Sequence, residues 1–239
     1  MGNANSSSVQ LSLLSVSFPE SGSVTVYAQA ELTLRETAKF KKRITVDSSD
    51  SLQARPDSEG GVVALRVWPG AITFSDYLLG AWDIFIDKTV VELGCGVGLP
   101  SLVLAKYCKT LQVILTDRES VAHVASANIS ANDLKCSAEF ETLDWGDKYQ
   151  LDAFRIRHPR IDFIIGTEIV YAEEQEPLLN ALSAVCESNP DGSKPILILS
   201  YTNRSEGDEQ YLSSVLERFT VRAQVGSVFH LIYRDYMLF

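Results

Sequence analysis

The chain has 239 residues, 46% of them hydrophobic, a size and composition that suit one soluble domain with a full core and a modest extension. Lysine and arginine number 21 against 31 aspartates and glutamates, a net charge of −10. That balance speaks against a surface built to neutralise phosphates and fits a basic partner better. Four cysteines, at 95, 108, 136 and 186, lack metal-ligand or C-x-x-C spacing. They read as reduced thiols of an intracellular protein, with no metal site expected. No apolar run is long enough to span a bilayer, and no secretory leader is expected.

Residues 1–8 are small and polar and read as a disordered tail. From 9 to 48 apolar and polar residues alternate, as in Val24, Val26 and Ala28 against Thr25, Tyr27 and Gln29, and predict antiparallel strands. Pro19 to Gly22 is a turn, and 47–61 a polar loop. A helix is expected over 71–82, with Ile72, Leu78 and Leu79 on its buried side. Strand and helix patterns then alternate: strand 89–93, helix 99–107, strand 111–116, helix 120–132, strand 140–143, strand 161–166, helix 176–187, strand 195–201 and helix 208–219. Two further strands, 221–225 and 229–239, meet at Gly226-Ser227 with no helix between them and should pair antiparallel. The fold class is therefore α/β, a mostly parallel sheet with a C-terminal antiparallel hairpin. The expected organisation is a tail over 1–8, a β extension and loop over 9–61, and the main domain over 62–239.

The most informative segment runs Glu92-Leu93-Gly94-Cys95-Gly96-Val97-Gly98-Leu99-Pro100. A buried strand enters a turn with three glycines and a helix follows, so backbone can approach a ligand and helix N–H groups face it. Pro100 suits a helix start. The dinucleotide pattern G-x-G-x-x-G fails, because position 99 is Leu where it needs Gly. An acid two residues before the first glycine suits a cationic amino-acid end, so the spacing favours S-adenosyl-L-methionine (SAM) as the cofactor, with S-adenosyl-L-homocysteine as product. Asp117, closing the next apolar strand, can accept both ribose hydroxyls; Asp is equally a helix N-cap. Asp144 can accept the adenine amino group, and Trp145 can cover the adenine face. Trp68 either walls the methionine end or anchors the extension.

These residues resemble a known family, the seven-strand protein methyltransferases called nicotinamide N-methyltransferase-like, which includes many protein-lysine methyltransferases. The matching pieces are V-W-P-G-A at 67–71, V-E-L-G-C-G-V-G-L-P at 91–100, I-L-T-D at 114–117, L-D-W-G-D at 143–147 and G-T-E-I-V-Y at 166–171. The resemblance covers about residues 62–239 and implies a seven-strand Rossmann-like sheet. Its signature D-x-x-Y stands here as Glu168-Ile169-Val170-Tyr171, with Glu in place of Asp. It implies that Glu168 and Tyr171 bind and orient the acceptor amine in a methyl transfer that needs positioning and desolvation more than a strong base. Glu173, Glu174 and Glu176 read as an acidic rim. The expected substrate is a protein with a basic target segment, methylated on a side-chain nitrogen, lysine first. The alternatives are protein arginine, a small-molecule amine, or a non-catalytic SAM-binding scaffold. Nucleic acid is not an expected substrate, since the strand tip lacks the proline pair that goes with it. The enzyme is expected to be monomeric and cytoplasmic, with the nucleus also open. Gly2 in M-G-N-A-N-S fits the N-myristoylation pattern. One chain of that kind would give weak, reversible membrane association at most.

Overall fold

The computed structural model describes residues 9–38, 43–54, 64–171, 175–203 and 206–234. The expected polar tail with its myristoylation pattern lies outside them, as do the acids Glu173 and Glu174 and the end of the last expected strand. The chain opens with β1 (Val9–Phe18), β2 (Gly22–Ala28), helix α1 (Ala30–Glu36) and β3 (Ile44–Ala54). The three strands form one antiparallel sheet, in the order β2-β1-β3.

Two expectations for this region are corrected. Residues 30–36, read as part of an alternating strand region, form helix α1. Ala, Glu, Leu and Arg are good helix formers, and that propensity outweighs a Leu-Thr-Leu alternation three residues long. Residues 47–54, read as loop, continue β3 along the edge of β1, whose backbone supplies the pairing that these polar side chains do not advertise.

The remaining elements follow in turn: α2 (Pro69–Gly80), β4 (Thr89–Leu93), α3 (Leu99–Tyr107), β5 (Gln112–Asp117), α4 (Ala122–Ser130) and β6 (Ser137–Thr142). Then come α5 (Lys148–Arg157), β7 (Phe163–Thr167), α6 (Glu176–Val185), β8 (Ile196–Ser200), α7 (Glu206–Glu217), β9 (Phe219–Val225) and β10 (Val228–Tyr233). They build a seven-stranded sheet in the order β6-β5-β4-β7-β8-β10-β9. β6 through β8 are mutually parallel, and β10 runs antiparallel to both β8 and β9. The α/β class and the antiparallel hairpin thus stand as expected.

Helix α5 was not foreseen. Only Leu151 and Phe154 of its residues are buried, so its apolar stripe is too thin to stand out in sequence. Its start was legible in chemistry: Asp147 accepts the N–H groups of Tyr149 and Gln150, and acid followed three residues later by Gln is a helix-start pattern.

β4 is buried at all five positions, as a central parallel strand should be. Its side chains alternate between two cores. Val91 and Leu93 join Ile164, Leu182 and Val215 under α5, α6 and α7. Val90 joins Phe74, Leu104, Val113 and Ile165 under α2, α3 and α4. The small sheet lies outside α2 and α3 and shares with them a third cluster, in which Leu14, Val16 and Val26 meet Ile72, Leu99 and Val103.

Two polar clamps fix that outer sheet. Arg43 grips both carboxylate oxygens of Asp76 on α2, at 2.7 and 3.0 Å, and donates to the Ser17 carbonyl at 2.8 Å. On the other side, Asn128 of α4 accepts the Tyr27 N–H at 2.6 Å and donates to the Tyr27 carbonyl at 3.4 Å and the Val97 carbonyl at 2.9 Å. Asn132 accepts the Thr25 N–H at 3.1 Å and donates to its carbonyl at 2.7 Å. Two asparagine side chains thus stand in for a neighbouring strand along the edge of β2.

Asn128 is fully buried, so truncating it strands several backbone groups away from water. Asn128→Ala is expected to lower unfolding free energy by about 2–4 kcal/mol in denaturant titration, from the cost of buried unpaired polar groups. Asn132→Ala, at a more exposed position, should cost less. A loss of a few tenths for Asn128→Ala would show that the edge of β2 does not depend on it.

Candidate active site

The order of the large sheet reverses between β4 and β7, and in open α/β sheets ligands bind at the carboxyl ends of strands on either side of such a point. There the glycine turn leaves β4, Asp117 closes β5, and Glu168 follows β7.

Gly94, Gly96 and Gly98 all adopt positive φ, at 65°, 52° and 80°. At Gly96 the requirement is also steric, since a Cβ would lie 2.9 Å from the Ala64 carbonyl oxygen. The turn is written onto β5: the Cys95 N–H donates to the Thr116 carbonyl at 3.0 Å, and the Gly96 N–H to Asp117 Oδ2 at 2.8 Å. Asp117 Oδ1 accepts the Arg118 N–H at 2.8 Å. Asp117 therefore holds the turn in place and also lines the cavity above it.

Glu92 sits elsewhere than at the cavity wall. It is fully buried on the α3 side of β4, and its Oε2 accepts the Ser101 N–H at 3.3 Å in the first turn of α3. Burial raises its pKa to about 8, and the Asp117 charge adds to the rise, against the lowering effect of Ser101. It is neutral through most of the physiological range and braces the helix start behind the turn. Cys95, also in the turn, has its thiol raised well above the usual value by burial first and then by Asp117 and Glu92. It is a poor nucleophile there.

The cavity has a volume of about 690 Å³, and the sequence-named residues divide between its walls. Gly94, Gly96, Asp117, Asp144 and Trp145 line one stretch, with Trp68 and Arg66 along the side formed by the segment before α2. Trp145 packs close to the turn, with ring carbons 3.1 and 3.3 Å from where a Cβ on Gly94 would be. Asp144 Oδ1 accepts the Gly146 N–H at 2.9 Å and shapes the loop that carries the indole. Gly98 caps α3 in a left-handed conformation and stays outside the lining. The 64–68 segment alternates, because Leu65 and Val67 are buried while Ala64, Arg66 and Trp68 face the cavity. Arg66 carries its guanidinium 5.3 Å from the centre of the Trp68 ring.

Glu168 and Tyr171 line the same cavity. Glu168 is a non-glycine residue at φ 58°, a conformation that costs on the order of 1–3 kcal/mol and turns the chain sharply at the end of β7. Its N–H donates to the Ser200 carbonyl at 3.1 Å, and its Oε1 accepts the Thr202 hydroxyl at 2.7 Å. Tyr171 is 49% exposed and lines the cavity beside it. Tyr211 lines the cavity too; its hydroxyl donates to the Gln175 carbonyl at 3.2 Å, and burial raises its phenol strongly, keeping it neutral.

Among the described residues no group of His, Cys, Asp or Glu could hold a metal ion. The donor set fits SAM. A carboxylate at the β5 tip, an indole over the turn and a backbone cradle that tolerates no Cβ suit adenosine joined to a small polar chain. Arg66, Thr202 and Tyr211 were not singled out from sequence. All three enter only through tertiary placement, Thr202 and Tyr211 through contacts with Glu168 and Gln175.

Comparison with known proteins agrees with this geometry. The family model described as lysine methyltransferase matches residues 46–218. The chain is 30% identical over 190 residues to Protein N-lysine methyltransferase METTL21A of Mus musculus, covering 77% of this chain and 82% of the relative. It is 32% identical over 166 residues to the METTL21A of Danio rerio, covering 67% and 70%. With Protein-lysine N-methyltransferase EFM3 of Chaetomium thermophilum it shares 30% identity over 196 residues, 79% of this chain and 56% of the relative.

Two outcomes follow from the site. Asp117→Ala should weaken SAM binding measured by calorimetry by about 1.5–3 kcal/mol for each charge-assisted bond lost; unchanged affinity would remove Asp117 from the cofactor site. Glu92, with its folded value near 8 against an ordinary 4.5, binds its proton more tightly in the folded state. Stability held by that proton is complete at low pH and is lost as pH rises through the 4.5–8 window. Glu92→Gln should therefore gain stability relative to the parent as unfolding is followed from acid to pH 8, and a constant difference would contradict the buried neutral acid.

Proposed function

The chain belongs to the lysine methyltransferase family, and from that premise we infer that it transfers a methyl group from SAM to a lysine side chain of a protein, with Glu168 and Tyr171 holding the acceptor. One observation carries the acceptor assignment. Glu168 stands at the tip of β7 in a strained backbone conformation, oriented by Thr202, in the same cavity that Asp117 and Trp145 line.

When bound, SAM supplies an electrophilic methyl on a sulfonium, and it leaves as the neutral thioether S-adenosyl-L-homocysteine. Asp117 takes the ribose hydroxyls and Trp145 the adenine face. The glycine turn receives the amino-acid end, and Arg66 pairs with its carboxylate from the side wall. Glu168 draws in the lysine ammonium and keeps the nitrogen in place once its proton has left to solvent and its lone pair is exposed. Tyr171 borders the entry, and the apolar walls strip water from the nitrogen as it approaches. The net charge of −10 favours a basic target segment and speeds its encounter. We place the enzyme in the cytoplasm as a monomer.

The test uses purified protein, methyl-labelled SAM and protein fractions, with labelled methyl-lysine read after hydrolysis. Glu168→Ala should lose turnover by about 10²-fold or more while SAM affinity stays as in the parent, because misplacing a reacting group alone costs that much. Tyr171→Phe should retain more activity than Glu168→Ala. Full turnover in Glu168→Ala would move the acceptor site elsewhere, and label on small molecules only would overturn protein methylation.

A further inference from the structure

Helix α2 begins Pro69-Gly70-Ala71, and its second residue is conspicuous on local grounds. Gly is among the weakest helix formers and Ala the strongest. The backbone of Gly70 takes no positive φ, so nothing in its conformation asks for glycine. The reason lies across the fold. A Cβ at position 70 would stand 2.0 Å from Glu168 Oε1, 2.7 Å from its Cδ and 2.8 Å from its Cγ. The carboxyl arm of Glu168 occupies the volume that any side chain at position 70 would need.

Its placement is otherwise tightly set. The backbone of Glu168 is fixed by its N–H bond to Ser200 and by its left-handed conformation, and its Oε1 by the Thr202 hydroxyl. The N-cap of α2, Trp68, makes no side-chain cap bond, so the first turn of that helix favours a carboxylate lying against it. Thr202 on one side and a bare helix turn on the other form a slot for this carboxylate.

We propose that Gly70 is a positioning residue for Glu168: it holds open the volume in which the Glu168 carboxylate sits, so that position 70 acts on methyl transfer through side-chain length at position 168. The consequence for the reaction rests on Glu168 binding the acceptor; the steric pairing does not. A methyl at position 70 would push the carboxylate off Thr202 and away from the cavity wall, while leaving the Asp117 and Trp145 wall unchanged. A shorter acid at 168 would relieve the conflict in part.

The experiment compares Gly70→Ala in three backgrounds: parent, Glu168→Asp and Glu168→Ala. Gly70→Ala in the parent should lower kcat/KM by about 10–100-fold, the scale of an ångström-sized misplacement, with SAM affinity from calorimetry unchanged, and should lower Tm. In Glu168→Ala the same substitution should raise Tm, because the clash is gone and only the better helix former remains. The Gly70→Ala/Glu168→Asp protein should exceed Gly70→Ala in kcat/KM, against the lower value that independent effects would give. If Gly70→Ala is insoluble in the parent but folds with Glu168→Ala, the pairing is supported all the same. A Tm loss from Gly70→Ala of the same size in all three backgrounds, or parent-like turnover for Gly70→Ala, would overturn the proposal. Should Glu168→Ala itself keep full turnover while the Tm reversal holds, the acceptor assignment fails and the steric pairing stands.

Discussion

The carboxyl edge of the large sheet depends on one hydrogen bond, the Gly96 N–H donated to the Asp117 carboxylate. Three residues with positive φ in five positions make a turn that no local propensity holds in one shape. Its form comes from β5, through Asp117 and the Thr116 carbonyl, and from α4, whose Asn128 donates to the Val97 carbonyl. One carboxylate both orders the turn and lines the cavity above it. Burial is the main reason that its neighbour Glu92 keeps its proton, and the Asp117 charge adds to it in a smaller degree.

The amino-terminal segment supports the wall of this cavity through Gln29 and α1. The Gln29 N–H donates to the Leu65 carbonyl at 2.7 Å, and the Val67 N–H to the Thr33 hydroxyl at 3.1 Å. These bonds seat Leu65 and Val67 in the outer core, and Ala64, Arg66 and Trp68 between and beside them line the cavity. The Ala64 carbonyl closes against Gly96. Asn128 completes the circuit, since it bonds both β2 and the glycine turn. This wall of the cavity thus depends on Gln29 and α1, well before it in the chain.

How much of this was legible in the sequence follows from the range of the interactions. β4 showed itself as a run of apolar residues bounded by glycines, and Asp117 as an acid ending the next such run; both are local patterns with one physical meaning. The antiparallel hairpin was legible because a two-residue turn leaves no room for a crossover. Helix α5 hid behind a polar composition, although its Asp147 cap was visible. Asn128 reads as one more polar residue on a helix and becomes structural only because β2 lies beside it. Gly70 reads as a flaw in a helix until Glu168, almost a hundred residues later, is placed against it. What escaped are the polar and steric pairings between distant segments, for which sequence carries no period.

The proposed site is one cavity with a cofactor wall at Asp117 and Trp145 and an acceptor end at Glu168. The most direct measurement is a crystal structure of the protein with S-adenosyl-L-homocysteine. The expected density places both ribose hydroxyls on Asp117, the adenine against Trp145, and the sulfur turned toward Glu168 and Tyr171. A ligand bound outside this cavity, or one whose sulfur faces away from Glu168, would contradict it.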